Sequence, residues 1–426
     1  MTVRNILVCT VGGSHQPIVT AIRELKPDQT VFFCTGRDPG TGKPGSEIQI
    51  KGTGKVIKAL LEDEKPTLPN IPAQAGQPEG SYETVIIPAD DLDEAVTIIR
   101  QKLGDTVRKF PGAKLVADYT GGTKSMTAAL VIAALETKNI DLQLVTGNRA
   151  DLIKVKNGTE TSAPANIDSV RLTRTMEPYL LAWGRHAYDE AADGLSCIQR
   201  PVNTTLRNRL CRAKDISMAF AAWDRFDHIE ALRLLEIYNP IIGKDLGGQL
   251  AALRLLVEKN EQQEPALMLD LWRNAERRAV QGRYDDAVAR CYRLVEWTAQ
   301  WLLCTRCGID TSDITLKQLP DGFEIGMGYE NKIQAGLFSA WSLVGKLLNG
   351  AAGQFAANRI STLRDHIQVR NSSILAHGKT PVSKENWEKI HLWLDETFLP
   401  MLLEEFGKVR IRKMSPQLPD CYLWEG

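Results

Sequence analysis

The residues best suited to chemistry lie near the carboxyl end, in Arg370-Asn-Ser-Ser-Ile-Leu-Ala-His377. An imidazole takes and gives protons near neutral pH. A guanidinium holds a phosphate and stabilises the charge that grows on it in a transition state. Together they suit phosphodiester cleavage, with Asn371 beside Arg370 as a supporting group. In RNA the 2′-hydroxyl can itself be the nucleophile, so this chemistry requires no metal. The stretch sits in an apolar pattern that starts near Gln354, with Phe355, Ile360, Leu363, Ile367 and Ile374 at roughly helical spacing. Gly378 and Pro381 would stop such a helix. Seven residues are close to two turns, so an unbroken helix would put Arg370 and His377 on one face. Arg359 and His366 repeat the spacing. Spacing alone does not choose between the pairs. The flanking Arg-Asn and Ala-His-Gly favour the second, with Arg359 and His366 as the fallback.

A second set of candidates occupies two glycine turns in the first third of the chain. Residues 5–11 form a continuous apolar run, as a strand buried on both faces would. Gly12-Gly13-Ser14 and His15-Gln16 follow, and a helix is expected over Pro17–Leu25. Strands are expected at Thr30–Cys34 and Thr84–Ile87, a helix at Leu92–Leu103, and a strand over Lys114–Ala117 ending in Asp118. Between them lie a Gly/Pro/Lys-rich loop at Arg37–Lys55, a helix across Val56–Glu62 and a flexible stretch, Lys65–Ser81, with four prolines. Tyr119-Thr-Gly-Gly-Thr-Lys-Ser125 then joins the Asp118 strand to an Ala-rich helix, Met126–Thr137. Strands follow at Asp141–Val145 and, shorter, near Leu152–Val155 and Ser169–Leu172. Strands alternating with helices predict a parallel sheet with Rossmann-like winding.

Such sheets bind ligands at the carboxyl ends of their strands, where both glycine turns fall. Glycine lets backbone approach a ligand closely, and amides at a helix start favour an anion. Lys124 adds a point charge. Phosphate binding is the direct implication. Gly-Gly-Thr-Lys-Ser lacks the spacing of a Walker A loop, and Gly12-Gly13 departs from the dinucleotide fingerprint. An ordinary ATPase or dehydrogenase is disfavoured.

With these motifs in view the chain resembles a known family. Thr10-Val-Gly-Gly-Ser14 with Pro17, and Asp118-Tyr-Thr-Gly-Gly-Thr-Lys-Ser-Met126, look like the two ligand-binding signatures of a CARF domain, the CRISPR-associated Rossmann-fold sensor of cyclic oligoadenylate. Arg370-Asn371 with Ala376-His377 is similar to the arginine-to-histidine signature of a HEPN ribonuclease, and Gly282–Gln300 to its opening helix. The resemblance implies an effector of type III CRISPR immunity: a CARF dimer binds the ring, and the HEPN dimer then degrades RNA without a metal or cofactor. Carried over, Thr10, Gly12, Gly13, Ser14 and Gln16 would line the ring from the first turn. Thr120, Gly121, Gly122, Thr123, Lys124 and Met126 would do so from the second. Arg370 and His377 would be catalytic, with Asn371 in support. Four adenylates is the ring size the resemblance suggests. A ring of identical nucleotides has a symmetry that a two-fold homodimer matches. Two other functions stay open: a sensor whose helical half binds a partner or DNA without cutting, and a ring nuclease in which Thr10, Ser14 and Lys124 cleave the activator.

From about Thr175 onward no strand series is evident. Helices are expected at Leu180–Ala192, Asn203–Ala222, Ala231–Tyr238, Gly247–Glu258 and Glu264–Gln281, punctuated by Asn239-Pro240 and Gly247-Gly248, with an amphipathic final helix from Trp387 to Leu403. The expected organisation is an α/β Rossmann-like CARF domain with a parallel-rich sheet at 1–173, a helical connecting region at 174–270 and an all-α HEPN-type domain at 271–426. The basic run Arg200, Arg207, Arg209, Arg212 and Lys214 lacks interleaved aromatics and reads as a solvated helix face rather than an RNA surface. Cys304-Thr-Arg-Cys307 has no second pair at zinc spacing and reads as helix-end packing. Asp285 and Asp286 diverge by about 100° on a helix and are not read as a metal site.

Bulk properties agree. The 426 residues carry 52 Lys and Arg against 52 Asp and Glu, so any nucleic-acid contact must come from a local patch. The opening MTVRNILVCTVGGSHQP is too short in apolar length for a signal peptide. No run approaches the ~18 apolar residues that span a bilayer. Eight scattered cysteines fit reduced thiols in the cytoplasm.

Overall fold

Asn5–Thr10 and Gln29–Cys34 are mostly apolar, and they form the neighbouring parallel strands β1 and β2. Alternate residues serve opposite faces of the sheet. Ile6, Val8, Val31 and Phe33 enter one apolar core, and Leu7, Cys9, Phe32 and Cys34 enter another. The structure, a computed structural model, describes residues 4–51, 69–147, 159–323, 325, 333–371, 374 and 378–424, without the side chains of 367–371. The expected helix across Val56–Glu62 and strand near Leu152–Val155 lie outside these residues.

The chain divides into two units, Met1–Arg171 and Leu172–Gly426. The first holds a six-stranded sheet in the order β3-β2-β1-β4-β5-β6, with β3 at Tyr82–Ile86, β4 at Lys114–Asp118, β5 at Ile140–Thr146 and β6 at Thr161–Pro164. The first five strands are parallel. β6 is antiparallel to β5, so the sheet is parallel-rich rather than purely parallel. Helices α1 (Gln16–Leu25) and α2 (Ile71–Ala75) cover one face, and α3 (Leu92–Lys109) and α4 (Lys124–Glu136) the other. α2 lies within the stretch read as flexible. Asn70 caps it by accepting from the Ala73 amide, Pro72 opens it and Gly76 closes it in the left-handed region.

The expected strand at Ser169–Leu172 is instead the start of helix α5, Asp168–Leu180. Leu172 and Met176, one turn apart, are its buried residues, so helical spacing overrides the short alternation. The second unit continues with α6 (Tyr188–Ser196), α7 (Thr204–Asp224), α8 (His228–Ile242), α9 (Gly247–Val257), α10 (Gln263–Val280) and α11 (Tyr284–Cys307). It ends with α12 (Leu337–Leu347), α13 (Ala351–Asn371), α14 (Lys384–Trp393) and α15 (Leu399–Gly407). A tight turn at Leu181–Arg185, closed by His186 at φ 54, breaks the helix expected over Leu180–Ala192. Pro240 stands in the last turn of α8, two residues before the helix ends at Ile242. One apolar core, with Trp183, Trp223, Trp272 and Trp341 fully buried, runs from Ala182 to Trp424. Asp270, at the expected boundary, is a buried residue of α10.

A polar knot sits within this core. Arg277 is fully buried, and its Nε donates to Asp224 Oδ1 at 2.7 Å. Its Nη1 donates to Gln417 Oε1 at 2.8 Å, and Asp270 stands 3.8 Å from Nη2. Asp270 in turn accepts from the Trp223 indole at 3.0 Å and meets His228 at 3.0 Å. Gln417 belongs to a carboxyl-terminal strap. Arg273 bonds the Ser415 carbonyl, Tyr188 the Pro419 carbonyl, and Trp424 donates to Asp245. Removing one partner of a buried, hydrogen-bonded ion pair is costly because the other charge is left uncompensated. Arg277→Met should therefore cost about 3–5 kcal/mol, and Gln417→Leu about 1–3 kcal/mol. All nine tryptophans lie in this unit, so urea unfolding followed by tryptophan fluorescence reads it selectively. An Arg277→Met midpoint equal to wild type would refute the assignment.

Candidate ligand-binding site and the arginine–histidine stretch

β1 and β4 are parallel neighbours, with Cys9 opposite Asp118. The chain therefore leaves both strands at the same carboxyl edge. α1 then turns to one face and α4 to the other. This is the switch point at which sheets of this winding take ligands.

The two turns are seated on each other, backbone against backbone. A Cβ on Gly12 would lie 2.6 Å from the Gly122 nitrogen. One on Gly121 would lie 2.7 Å from the Thr10 carbonyl oxygen. Gly122 has φ +103, a conformation other residues rarely adopt, and faces the Thr10 side chain. The Thr10 hydroxyl, fully buried, donates to the Gly121 carbonyl. Three of the four predicted glycines are thus needed for contact between the turns. Gly13 alone has open space around its Cα.

The other predicted residues divide accordingly. The Thr120 hydroxyl accepts from the Val145 amide at 2.7 Å, which ties the second turn to β5. Thr123 caps α4, accepting from the Met126 amide at 3.3 Å while its hydroxyl donates to the Ala89 carbonyl. Met126 is fully buried. Ser14, Gln16 and Lys124 are exposed. A cavity of about 370 Å³ opens beside the turns, lined by Gly12, Gly13, Gly122, Thr123 and Met126. Its remaining lining, Val11, Thr35 and residues from Pro44 to Gln49, was not legible as a site in the sequence. The Gly/Pro/Lys-rich composition of Arg37–Lys55 marked a loop and gave no hint that it folds back to wall a pocket.

Charge at the site is local. The amides that open α4 have no acceptor within their own helix and present the positive end of its dipole. Lys124, the first helical residue, opposes that dipole and is unfavourable there unless an anion is near. Beneath the turn Asp118 is buried. Its Oδ1 accepts from the Thr120 amide at 3.0 Å and its Oδ2 from Gln143 Nε2 at 3.1 Å. Burial raises its pKa above the ordinary aspartate value, and these hydrogen bonds oppose the rise. Asp118 fixes the shape of the turn and is enclosed by protein.

At the other candidate site, α13 ends at Asn371. Ile374 lies in a turn and is 61% exposed. The unbroken helix expected to carry Arg370 and His377 on one face therefore does not run that far. The side chains of Arg370 and Asn371, and all of His377, lie outside the described residues. The fallback pair is described. Arg359 is exposed, whereas the His366 ring packs on Trp393 with centroids 4.8 Å apart. His366 lines a cavity of about 20 Å³ walled by Val288, Cys291, Leu363 and Ile390, and burial lowers its pKa. His366 is half-buried, packed against the edge of the helical core.

Arg209 donates to Thr173 and Lys214 pairs with Asp215, so the basic run is partly engaged within the protein. Asp285 accepts from the Val382 amide and Asp286 pairs with Arg290. Among the described residues no cluster of three or more His, Cys, Asp or Glu could hold a metal ion. Cys304, exposed, and Cys307, half-buried, stand in the last turn of α11.

Two predictions follow from this geometry. Gly12→Ala should push the turns apart and destabilise the first unit by about 1–3 kcal/mol, whereas Gly13→Ala should leave its thermal melt unchanged by circular dichroism. For Asp118, a raised folded-state pKa gives stability that is present at acid pH and lost as pH rises through that value. Asp118→Asn lacks this loss. Its melting temperature should gain on wild type between pH 4 and pH 8, and a constant difference across that range would refute the burial argument.

Comparison with known proteins bears on both units. Residues 257–398 match the family model for the Csm6 HEPN domain, a span that contains both Arg370 and His377. No curated protein matches the chain. Among solved structures, Enterococcus italicus Csm6 bound to cyclic hexa-2′-fluoro-hexa-dAMP superposes with a TM-score of 0.58 at 13% identity, covering 95% of each chain. Can2 from Sulfobacillus thermosulfidooxidans in complex with cyclic tetra-adenylate covers 73% of this chain and 72% of its own at 14% identity. Its TM-score of 0.25 is too low to argue from. No described helix is long and apolar enough to cross a membrane. Residues 257–398 thus carry the match to the Csm6 HEPN domain, and the chain, a parallel-rich sheet unit followed by a helical unit, has the fold of a solved Csm6.

Proposed function

We propose that this chain is a homodimeric endoribonuclease switched on by a cyclic oligoadenylate, cutting single-stranded RNA without a metal as part of type III CRISPR defence in the cytoplasm. The observation that carries the reading is the cavity at the meeting of the two glycine turns, in a chain whose HEPN match spans Arg370 and His377. Residues 1–173 act as the sensor, 174–270 as the connecting region and 271–426 as the nuclease. Gly13, Ser14, Gln16, Lys124 and the opening amides of α4 face the ring phosphates. Thr10, Gly12, Gly121, Gly122, Thr120 and Thr123 hold the shape that aims them, and Met126 closes the floor.

In the nuclease, a 2′-hydroxyl attacks the adjacent phosphorus and the bond to the 5′-oxygen breaks. His377 takes the proton from the attacking hydroxyl or supplies one to the leaving oxygen. Arg370 stabilises the negative charge on the five-coordinate phosphorus, and Asn371 holds the pair in register. The products are a 2′,3′-cyclic phosphate and a 5′-hydroxyl. Activation requires that the ring bind the active arrangement of the dimer more tightly than the inactive one.

The ring-nuclease alternative is weakened at one of its three residues, because the Thr10 hydroxyl is buried and donates to the Gly121 carbonyl. The relative from Enterococcus italicus was solved with a six-membered ring, so rings of both four and six adenylates belong in the assay. With either ring, the protein should cut single-stranded RNA in EDTA. His377→Ala should abolish cutting, while His366→Ala should retain it. Lys124→Ala should raise the ring concentration needed for half-maximal cutting by about tenfold, the value of one charge-assisted contact. No cutting with any ring, although rings bind, would favour a sensor acting through a partner.

A further inference from the structure

Helices α12 and α13 form an antiparallel pair. Near the turn that joins them a Cβ on Gly345 would lie 3.2 Å from the Ala356 Cβ. At the open end of the pair the Arg364 guanidinium stands over the Phe338 ring, 5.2 Å from its centroid. Phe338 is half-buried at the start of α12, and Arg364 is exposed near the end of α13.

The charge of this pair is unlike that of the helices before it. On α8 to α11 most arginines meet a carboxylate, as Arg233 meets Glu230, Arg254 meets Glu236 and Arg273 meets Glu276. From Leu337 to Asn371 the sequence holds Lys346, Arg359, Arg364 and Arg370 against a single acid, Asp365. Lys346, Arg359 and Arg364 are exposed and form no ion pair among the described residues. In a chain of zero formal net charge this is a local excess of cations.

Arg364 differs from the other two in being held. A ring face attracts a guanidinium but offers it no carbonyl or carboxylate acceptor, so the N–H groups in its plane stay open. Phe338 thus fixes a charge without neutralising it, and less side-chain freedom is lost when a ligand binds. Open, in-plane donors on a fixed guanidinium suit a phosphate. The position says which phosphate. Arg364 precedes Asn371, the end of α13, by seven residues, or about 10 Å along the helix. A strand whose scissile phosphate lies at the Arg370–His377 stretch carries further phosphates on either side of it.

We infer that Arg364, held by Phe338, guides the RNA strand by binding a backbone phosphate beside the one that is cut. This inference rests on the ribonuclease reading above and adds a contact outside the reacting groups. The contact is the same in bound RNA and in the transition state, so its loss raises KM and leaves kcat unchanged. A phosphate contact also has a signature that packing lacks. Each one adds about 0.7 to the slope of log affinity against log salt for a single strand.

The test uses the full chain carrying His377→Ala, which keeps RNA whole, with cyclic tetra- or hexa-adenylate present. Binding of a fluorescein-labelled single-stranded RNA is followed by anisotropy at several salt concentrations. Adding Arg364→Ala should weaken binding about tenfold, as for one hydrogen bond to a charged group, and lower the slope by about 0.7. Phe338→Leu keeps the cation and removes its platform; it should weaken binding about threefold and keep the slope. Arg293 also lies over a ring, that of Trp297, but is paired with Glu296, and Arg293→Ala should change neither quantity. In protein that retains His377, Arg364→Ala should raise KM about tenfold at unchanged kcat. Unchanged affinity, or a fall in affinity with an unchanged slope, would refute the phosphate contact and leave the ribonuclease reading standing. A His377→Ala protein that binds no RNA with either ring would remove both.

Discussion

The contact on which the first unit depends is the seating of Gly12 on Gly122. Two strands that are neighbours in the sheet send their chains out at one edge, and the turns that follow must share the same space. They do so by omitting side chains. The Gly12 Cα faces the Gly122 nitrogen at a distance no Cβ could share, and the Thr10 hydroxyl closes the seam from below by bonding the Gly121 carbonyl. Close approach of backbone to backbone has a consequence for chemistry. It brings the amides of both turns and the start of α4 to one small surface, and it does so rigidly, because no rotamer is involved.

The glycines therefore have a different role from the one their composition suggests. Read in the sequence, a pair of glycines after a strand implies room for a ligand to touch the main chain. In the structure, three of the four make room for each other. In the proposed site the surface left open beside this seam is carried by their neighbours: Gly13 and Ser14 on one side and Lys124 and the α4 amides on the other. Thr120, Thr123 and Asp118 act one layer further in, each bonded to a backbone group that fixes a turn.

Much of this was legible. Continuous apolar runs identified β1, β2 and β4, because a strand buried on both faces has no polar register to confuse. The switch-point geometry followed from strand and helix alternation alone. α2 was also written in the sequence, as Asn70, Pro72 and Gly76 at the cap, first-turn and closing positions, but four prolines in the surrounding stretch masked it. Ser169–Leu172 misled because four residues cannot distinguish a period of two from one of 3.6 until Met176 is counted. The pocket wall at Pro44–Gln49 was beyond reach, since a long-range fit between a loop and a strand end leaves no local periodicity. The same holds for Gln417, whose partner Arg277 lies 140 residues away. Sequence patterning reports which residues are buried more readily than which buried polar groups find each other.

The neutral composition now acquires a physical sense. A chain with equal numbers of acidic and basic residues cannot gather a polyanion by its overall field. In the proposed site the attraction is supplied by fixed dipoles, the opening amides of α4 and the amides of the turns, with Lys124 as a single formal charge. Such dipoles act over short distances and discriminate by shape. A linear oligonucleotide carries the same phosphates as a ring but pays more conformational entropy to present them at one point. Selection of a ring over the linear RNA around it then follows from the rigidity of the Gly12–Gly122 seam, and does not require a basic surface that would bind both.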